Sequence, residues 1–143
     1  MRGIVETKHL FCIAMAPHIL VIDDRISLPR FIAIELDAEG YQVSIHSDGV
    51  IDLSIIQAFN PDLVVLNWEL RNASGVDICQ QLSLSDHPLP IVIITAKDES
   101  SCQVAMAMGV IACLTKPFSM SDLLETIDLH LQSKKQKMKC SCR

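Results

Sequence analysis

The chain is predicted to be an α/β domain built on a doubly wound parallel sheet. Two observations predict it: from residue 18 onward, five short β-branched runs alternate with five helix-length amphipathic segments, and three of the runs are almost continuously apolar. A continuously apolar strand is one covered on both faces, which is the signature of a parallel sheet between helix layers. Five βα units in series require right-handed crossovers and hence a doubly wound sheet.

The strand candidates are His18–Asp23 (HILVID), Tyr41–His46 (YQVSIH), Asp62–Asn67 (DLVVLN), Ile91–Thr95 (IVIIT) and Ile111–Thr115 (IACLT). The intervening helices are expected at about 26–39, 49–58, 75–84, 99–108 and 119–132. Pro29 suits a first turn, Gly40 a residue just past a helix C-terminus, and Ser119 an N-cap with Asp122 three residues on. These elements divide the chain into an N-terminal extension (1–16), one domain (17–132) and a basic, cysteine-containing tail (133–143).

Composition agrees with a single self-sufficient core. At 143 residues, 50% hydrophobic and 20% charged, roughly two-thirds of the unfolded surface can be buried without metal or disulfide staples. Extensive disorder is excluded, and no apolar stretch approaches the 18 or so residues that span a bilayer. The formal net charge is −5, unevenly placed. Residues 134–143 carry five of the twelve bases and no acid, which leaves seven bases against seventeen acids elsewhere, a charge of −10. So acidic a body is a poor surface for nucleic acid, and direct binding by this chain is not expected. The tail reads first as a solvated terminus and second as an anionic-surface or docking patch.

Six cysteines do not demand a disulfide framework in a domain with this core. Cys79, Cys102 and Cys113 lie in apolar periodic segments where free cysteine behaves as a small buried hydrophobe. Cys140-Ser-Cys142 is too closely spaced for a CxxC motif. A reducing cytoplasm is the expected compartment. Residues 1–14 match a secretory signal poorly, because Glu6 and Lys8 precede a short apolar run; they read as a non-core extension, with Met15 as an alternative start.

In a doubly wound sheet the chemistry collects at the carboxyl ends of the strands. Those ends offer Asp23-Asp24, Asn67, Thr95-Ala96 and Lys116-Pro117. Two carboxylates, an amide, a hydroxyl and an ammonium converging there form a hard-cation and phosphoryl site, with oxygen ligands for Mg²⁺ and Lys and Thr for phosphoryl oxygens.

The ordered motifs ILVIDD (19–24), PDLVVLNWEL (61–70), SG (74–75), IVIITAKD (91–98) and LTKPFS (114–119) resemble the receiver domain of two-component response regulators, especially receivers that precede winged-helix DNA-binding domains. The resemblance covers about residues 18–132. It implies the flavodoxin-like (βα)₅ fold with strand order 2-1-3-4-5. It also implies Asp23 and Asp24 as the acidic pair for Mg²⁺, the backbone carbonyl of Glu69 as a further metal ligand, Thr95 as the switch hydroxyl and Ala96 as the small residue leaving access. Lys116 matches the ammonium that pairs with the phosphoryl group, followed by a cis bond to Pro117.

Three departures qualify the resemblance. Where the family has the phosphoacceptor aspartate, this chain has Asn67, whose amide does not form an acyl phosphate. Self-phosphorylation should therefore fail, and Mg²⁺ affinity, with Asn67 in the ligand set, should weaken with the lost charge. Lys116 would still have Asp23 and Asp24 to pair with. The switch aromatic three residues before the Lys is replaced by Cys113. Finally, uncharged Ile111 and Ala112 stand where a dimer-directing acidic pair is typical, and Thr126 where a base is. The expected state is a monomer or a weak dimer through the fourth-helix, fifth-strand, fifth-helix face. Val104, Ala105, Met106 and Met108 of the fourth helix read mostly as core.

The leading functional reading is a non-enzymatic, stand-alone atypical receiver, or pseudo-receiver. It would act in a phosphorelay by contact with a histidine kinase, a phosphotransfer protein or another regulator. The alternatives are the receiver part of a transcriptional regulator, or an engineered Asp→Asn form of a phosphorylatable receiver. A small-molecule α/β enzyme is opposed by the lack of a Gly-rich phosphate loop, HExxH or GxSxG. His46, His87 and His130 follow no metal spacing and read as surface residues.

Overall fold

The computed structural model describes residues 16–47, 51–71, 73–86, 88–97 and 99–141, with side chains through 131. Residues 1–15, including Met15, lie outside the described residues, as do His87 and Cys142; so does the side chain of Cys140.

Five strands, β1 (His18–Ile22), β2 (Gln42–His46), β3 (Leu63–Asn67), β4 (Ile91–Thr95) and β5 (Ala112–Thr115), alternate with five helices, α1 (Ser27–Ala38), α2 (Leu53–Phe59), α3 (Gly75–Ser83), α4 (Glu99–Ala107) and α5 (Met120–Ser141). The strands are all parallel in the order β2-β1-β3-β4-β5, as expected. Every residue of β3 and β4 is buried, which is why these runs are apolar without alternation.

Alternate strand residues separate the core into two layers. Leu20, Ile22, Val64, Leu66, Ile91 and Ile93 pack with Ile56, Ile78, Leu82 and Ala105, so α2, α3 and α4 cover one face. Ile19, Val21, Leu63, Val65, Val92 and Ile94 pack with Ile32, Leu36, Leu123 and Ile127, so α1 and α5 cover the other. The Tyr41 hydroxyl donates to Asp128, tying the start of β2 to α5. Burial, then this acidic acceptor, holds the phenol well above its ordinary pKa.

Local signals explain most boundaries. Gly40 adopts φ +93° just after α1, the left-handed conformation that glycine tolerates best. The Ser119 carbonyl accepts from the Asp122 and Leu123 amides at the start of α5. Two helices differ from expectation. The helix expected over about 49–58, of which 49 and 50 lie outside the described residues, is α2 from Leu53, where the Asp52 carboxylate accepts from the Ile55 amide at 3.0 Å and caps it. α5 continues to Ser141 because the Lys-rich segment after 132 contains no Gly or Pro to stop it, and cations at a helix C-terminus complement its dipole.

The cysteine expectation is corrected. Cys102 and Cys113 form a disulfide between α4 and β5, their Cα atoms 5.5 Å apart, within the span such a bond requires. Cys79 remains a buried free thiol, its pKa pushed up to about 11 by burial. The core reading of α4 holds in part: Ala105 is buried, whereas Val104 and Met106 are each 49% exposed. His46 is not a free surface residue. It is half-buried with its ring edge-on to Phe59 at 6.1 Å, and among the described residues its buried Nε2 has no hydrogen-bond partner.

Candidate functional site at the strand ends

The sheet places the site where strand order reverses. β1 is paired on one side with β2 and on the other with β3, Ile22 lying opposite Leu66. The residues at this reversal, Asp23 and Asn67, therefore share one crevice. Thr95 ends β4 opposite Thr115 of β5, and the next residue, Lys116, donates its amide to the Thr95 carbonyl at 2.8 Å. The Lys116–Pro117 bond is cis, as the resemblance implied.

Three polar side chains here are almost wholly buried: Asp23 at 3% exposure, Asn67 at 2% and Thr95 at 0%. Buried polar groups are sustained only by partners. Asp23 Oδ1 accepts from the Arg25 amide at 2.9 Å and from Asn67 Nδ2 at 3.2 Å. Asn67 Nδ2 also donates to the Glu69 carbonyl oxygen at 3.2 Å. On its other side, Asn67 Oδ1 accepts from Lys116 Nζ at 3.5 Å. The opposite amide orientation would set an oxygen against two acceptors and an NH₂ against an ammonium, so the network selects this one.

The orientation differs from the one a ligating Asn67 oxygen would need. Its nitrogen, not its oxygen, faces Asp23 and the Glu69 carbonyl. Acceptors lining a slot call for a donor or a cation, and the carboxamide supplies the donor. The acidic pair is also split, because Asp24 Oδ2 turns away to accept from the Arg71 amide at 2.7 Å. Among the described residues no group of three or more His, Cys, Asp or Glu side chains is disposed to hold a metal ion. In this arrangement two of the oxygens expected for Mg²⁺, Asp23 Oδ1 and the Glu69 carbonyl, accept from Asn67 Nδ2, and the Asn67 oxygen faces Lys116.

Glu69 is the residue that sequence reasoning missed, having been assigned only through its carbonyl. Its carboxylate spans from the β3 end to the β4 end. Thr95 Oγ1 donates to it, 3.0 Å from either oxygen, and the Ala96 amide donates to Oε1. Thr95 Oγ1 in turn accepts from the Lys97 amide at 3.0 Å. Glu69 is aimed by a short antiparallel bridge to Ser74 and by the next residue, Gly75. A Cβ at Gly75 would lie 2.8 Å from Trp68 Cε3 and 3.0 Å from the Trp68 carbonyl, so only glycine lets the loop close this tightly.

Lys116 differs from its expected pairing. Its hydrogen-bond contact is the amide oxygen of Asn67, while Asp23, Glu69 and Asp24 act on it as nearby negative charges. Desolvation, reinforced by Arg25, outweighs them and lowers its pKa from the ordinary lysine value. Cys113, expected at the switch aromatic's place, is fixed by the disulfide. A cleft of about 480 Å³ beside it is lined by Lys97, Glu99, Cys102, Cys113 and Thr115.

The family model of the response regulator receiver domain matches residues 19–128. The chain is 37% identical over 120 residues to the response regulator ArlR of Staphylococcus saprophyticus, a match covering 83% of this chain and 54% of the relative. It is 35% identical over 111 residues to the response regulator MprA of Mycobacterium bovis, covering 77% of this chain and 48% of the relative. The chain thus spans about half the length of the curated relatives it matches. Among solved structures, the Francisella response regulator 1452 receiver domain is similar with a TM-score of 0.73 at 25% identity, covering 82% of this chain and 98% of that one. The chemotaxis response regulator CheY4 of Vibrio cholerae is similar in fold, with a TM-score of 0.71 at 24% identity, covering 80% and 98%.

Proposed function

We propose, from the premise that this chain belongs to the response regulator receiver domain family, that it is an atypical receiver working by protein contact without phosphorylation at position 67. The observation that carries this is the Asn67 carboxamide at the end of β3. Its nitrogen is spent on Asp23 and the Glu69 carbonyl and its oxygen on Lys116. An amide oxygen is a poor nucleophile, and this one faces the Lys116 ammonium, so it would not give a stable acyl phosphate. On this reading the chain is not an enzyme. A divalent cation binds more weakly than at a three-carboxylate site, since it must first displace the Asn67 nitrogen.

The partners that fit a receiver are a histidine kinase, a phosphotransfer protein or another regulator, and the compartment that fits it is the cytoplasm, whose thiol pool would act against the Cys102–Cys113 bond. Among the described residues, no helix is long and apolar enough to cross a membrane. The acidic body disfavours direct contact of this chain with nucleic acid. Self-association, on the same reading, is weak and uses the α4–β5–α5 face. A second reading, the receiver part of a transcriptional response regulator, is favoured by one observation: relatives about twice the matched length.

The test is an intact-mass measurement after incubation with acetyl phosphate and Mg²⁺, the original chain beside Asn67→Asp. The expected result is a phosphoryl adduct on the variant alone. An adduct on the original chain would overturn the proposal.

A further inference from the structure

The strand-end site contains two slots of opposite character, each filled by the chain itself. One is lined by acceptors, Asp23 Oδ1 and the Glu69 carbonyl, and holds the Asn67 NH₂. The other is formed by two donors, the Thr95 hydroxyl and the Ala96 amide, and holds the Glu69 carboxylate. A hydroxyl and a backbone N–H converging on one carboxylate make a built oxyanion cradle. We propose that the site is self-liganded: the Asn67 nitrogen takes the place of a cation and the Glu69 carboxylate the place of a bound oxyanion, fixing Thr95 inward with no exogenous ligand.

This rests on the reading of the chain as a receiver that is not phosphorylated at position 67, and it supplies that reading with a constitutive state. The two fillings support each other. Asn67 holds the backbone of Glu69 while the Glu69 side chain holds the end of β4, so the β3–α3 and β4–α4 loops are latched through one residue. Trp68, the single tryptophan, lies between the two. Its amide is anchored to the Ile94 carbonyl at 2.8 Å, which makes it a built-in reporter of the latch.

Amide hydrogen exchange of the full chain resolved at Ala96 and Lys97, with Trp68 emission, tests the proposal in Glu69→Ala, Glu69→Gln and a Glu99→Ala control. A charge-assisted hydrogen bond is lost at Ala96, so its exchange should accelerate roughly ten- to a hundredfold in Glu69→Ala. It should accelerate by less in Glu69→Gln, whose uncharged oxygen still accepts, and should not change in Glu99→Ala. Phosphate titration adds a second readout, because the vacated cradle of Glu69→Ala should give a saturable Trp68 response to inorganic phosphate that the original chain lacks. Unchanged Ala96 exchange in Glu69→Ala, or an equal phosphate response in the original chain, overturns the self-liganded site. Failure of the phosphorylation-independent reading shows separately, as a phosphoryl adduct on the original chain in the mass measurement.

Discussion

Replacing Asn67 by aspartate tests the filled cation slot most directly, because it exchanges a donor for an anion without changing side-chain size. The new carboxylate oxygen would stand about 3.2 Å from Asp23 Oδ1, a like-charge contact of about 5 kcal/mol at an effective dielectric of about 20. Lys116 Nζ at 3.5 Å offsets a comparable amount, but its ammonium is half-exposed and more strongly screened. Two donated hydrogen bonds also vanish, each worth about 1 kcal/mol. The expected net loss without divalent cations is about 2–4 kcal/mol, a Tm lower by about 5–15 °C. Added Mg²⁺ should reverse it, since a ligand at a hundred times its Kd stabilises by about 2.7 kcal/mol. The original chain should gain almost nothing from the same addition. Urea and thermal melts of both proteins, in chelator and in Mg²⁺, provide the assay. Equal stability in chelator, or equal Mg²⁺ responses of the two chains, would refute the donor-for-cation argument.

Gly75→Ala drives a Cβ into Trp68 at 2.8 Å and into its carbonyl at 3.0 Å; a loss of about 1–3 kcal/mol in urea melts and a shifted tryptophan emission are expected. Cys102→Ser with Cys113→Ser removes a cross-link between positions 11 apart, for which chain entropy gives about 3 kcal/mol. Dithiothreitol should bring the original chain to the same midpoint, whereas an unchanged midpoint would count against the bond. Asp52→Ala should lower the Tm at neutral pH by uncapping α2. The Ser54 hydroxyl, then the Ile55 amide, holds the Asp52 carboxyl below its ordinary value of 3.8. Its contribution is therefore present above that pH and is lost as pH falls below it, so the two melting curves should converge in acid.

The fold was legible because burial on both faces writes itself into β1, β3 and β4 as unbroken apolar runs. Strand ends shifted by one residue where polar chemistry takes over: Asp23 leaves the strand although its amide still reaches the His46 carbonyl. The start of α2 was misplaced although its signal was present, an Asp immediately before LSIIQAF. The strand-end rule found Asp23, Asn67, Thr95 and Lys116, because backbone position alone fixes where a strand ends. It could not find the role of the Glu69 side chain, whose direction is set by a bridge to Ser74 and by the room left at Gly75. The Cys102–Cys113 pairing was equally invisible, since it depends on how α4 packs against β5.

An Asn at the end of a buried strand is easily taken for a simple loss of charge, yet the surroundings of Asn67 argue for a positive fit. A leucine or alanine there would leave Lys116 facing an apolar surface and would remove the donor shared by Asp23 and the Glu69 carbonyl, and unpaired buried polar groups cost about 1–3 kcal/mol each. Aspartate would pair with Lys116 but repel Asp23 unless a cation intervened. Of these side chains, the carboxamide alone presents a donor edge to the acceptors and an acceptor edge to the ammonium at once. The residue proposed to end the prospect of an acyl phosphate therefore also satisfies the pocket electrostatically, and Glu69 completes the arrangement by satisfying the donors on β4. On the proposed reading, an unphosphorylated position 67 and an ordered site are two consequences of one side chain.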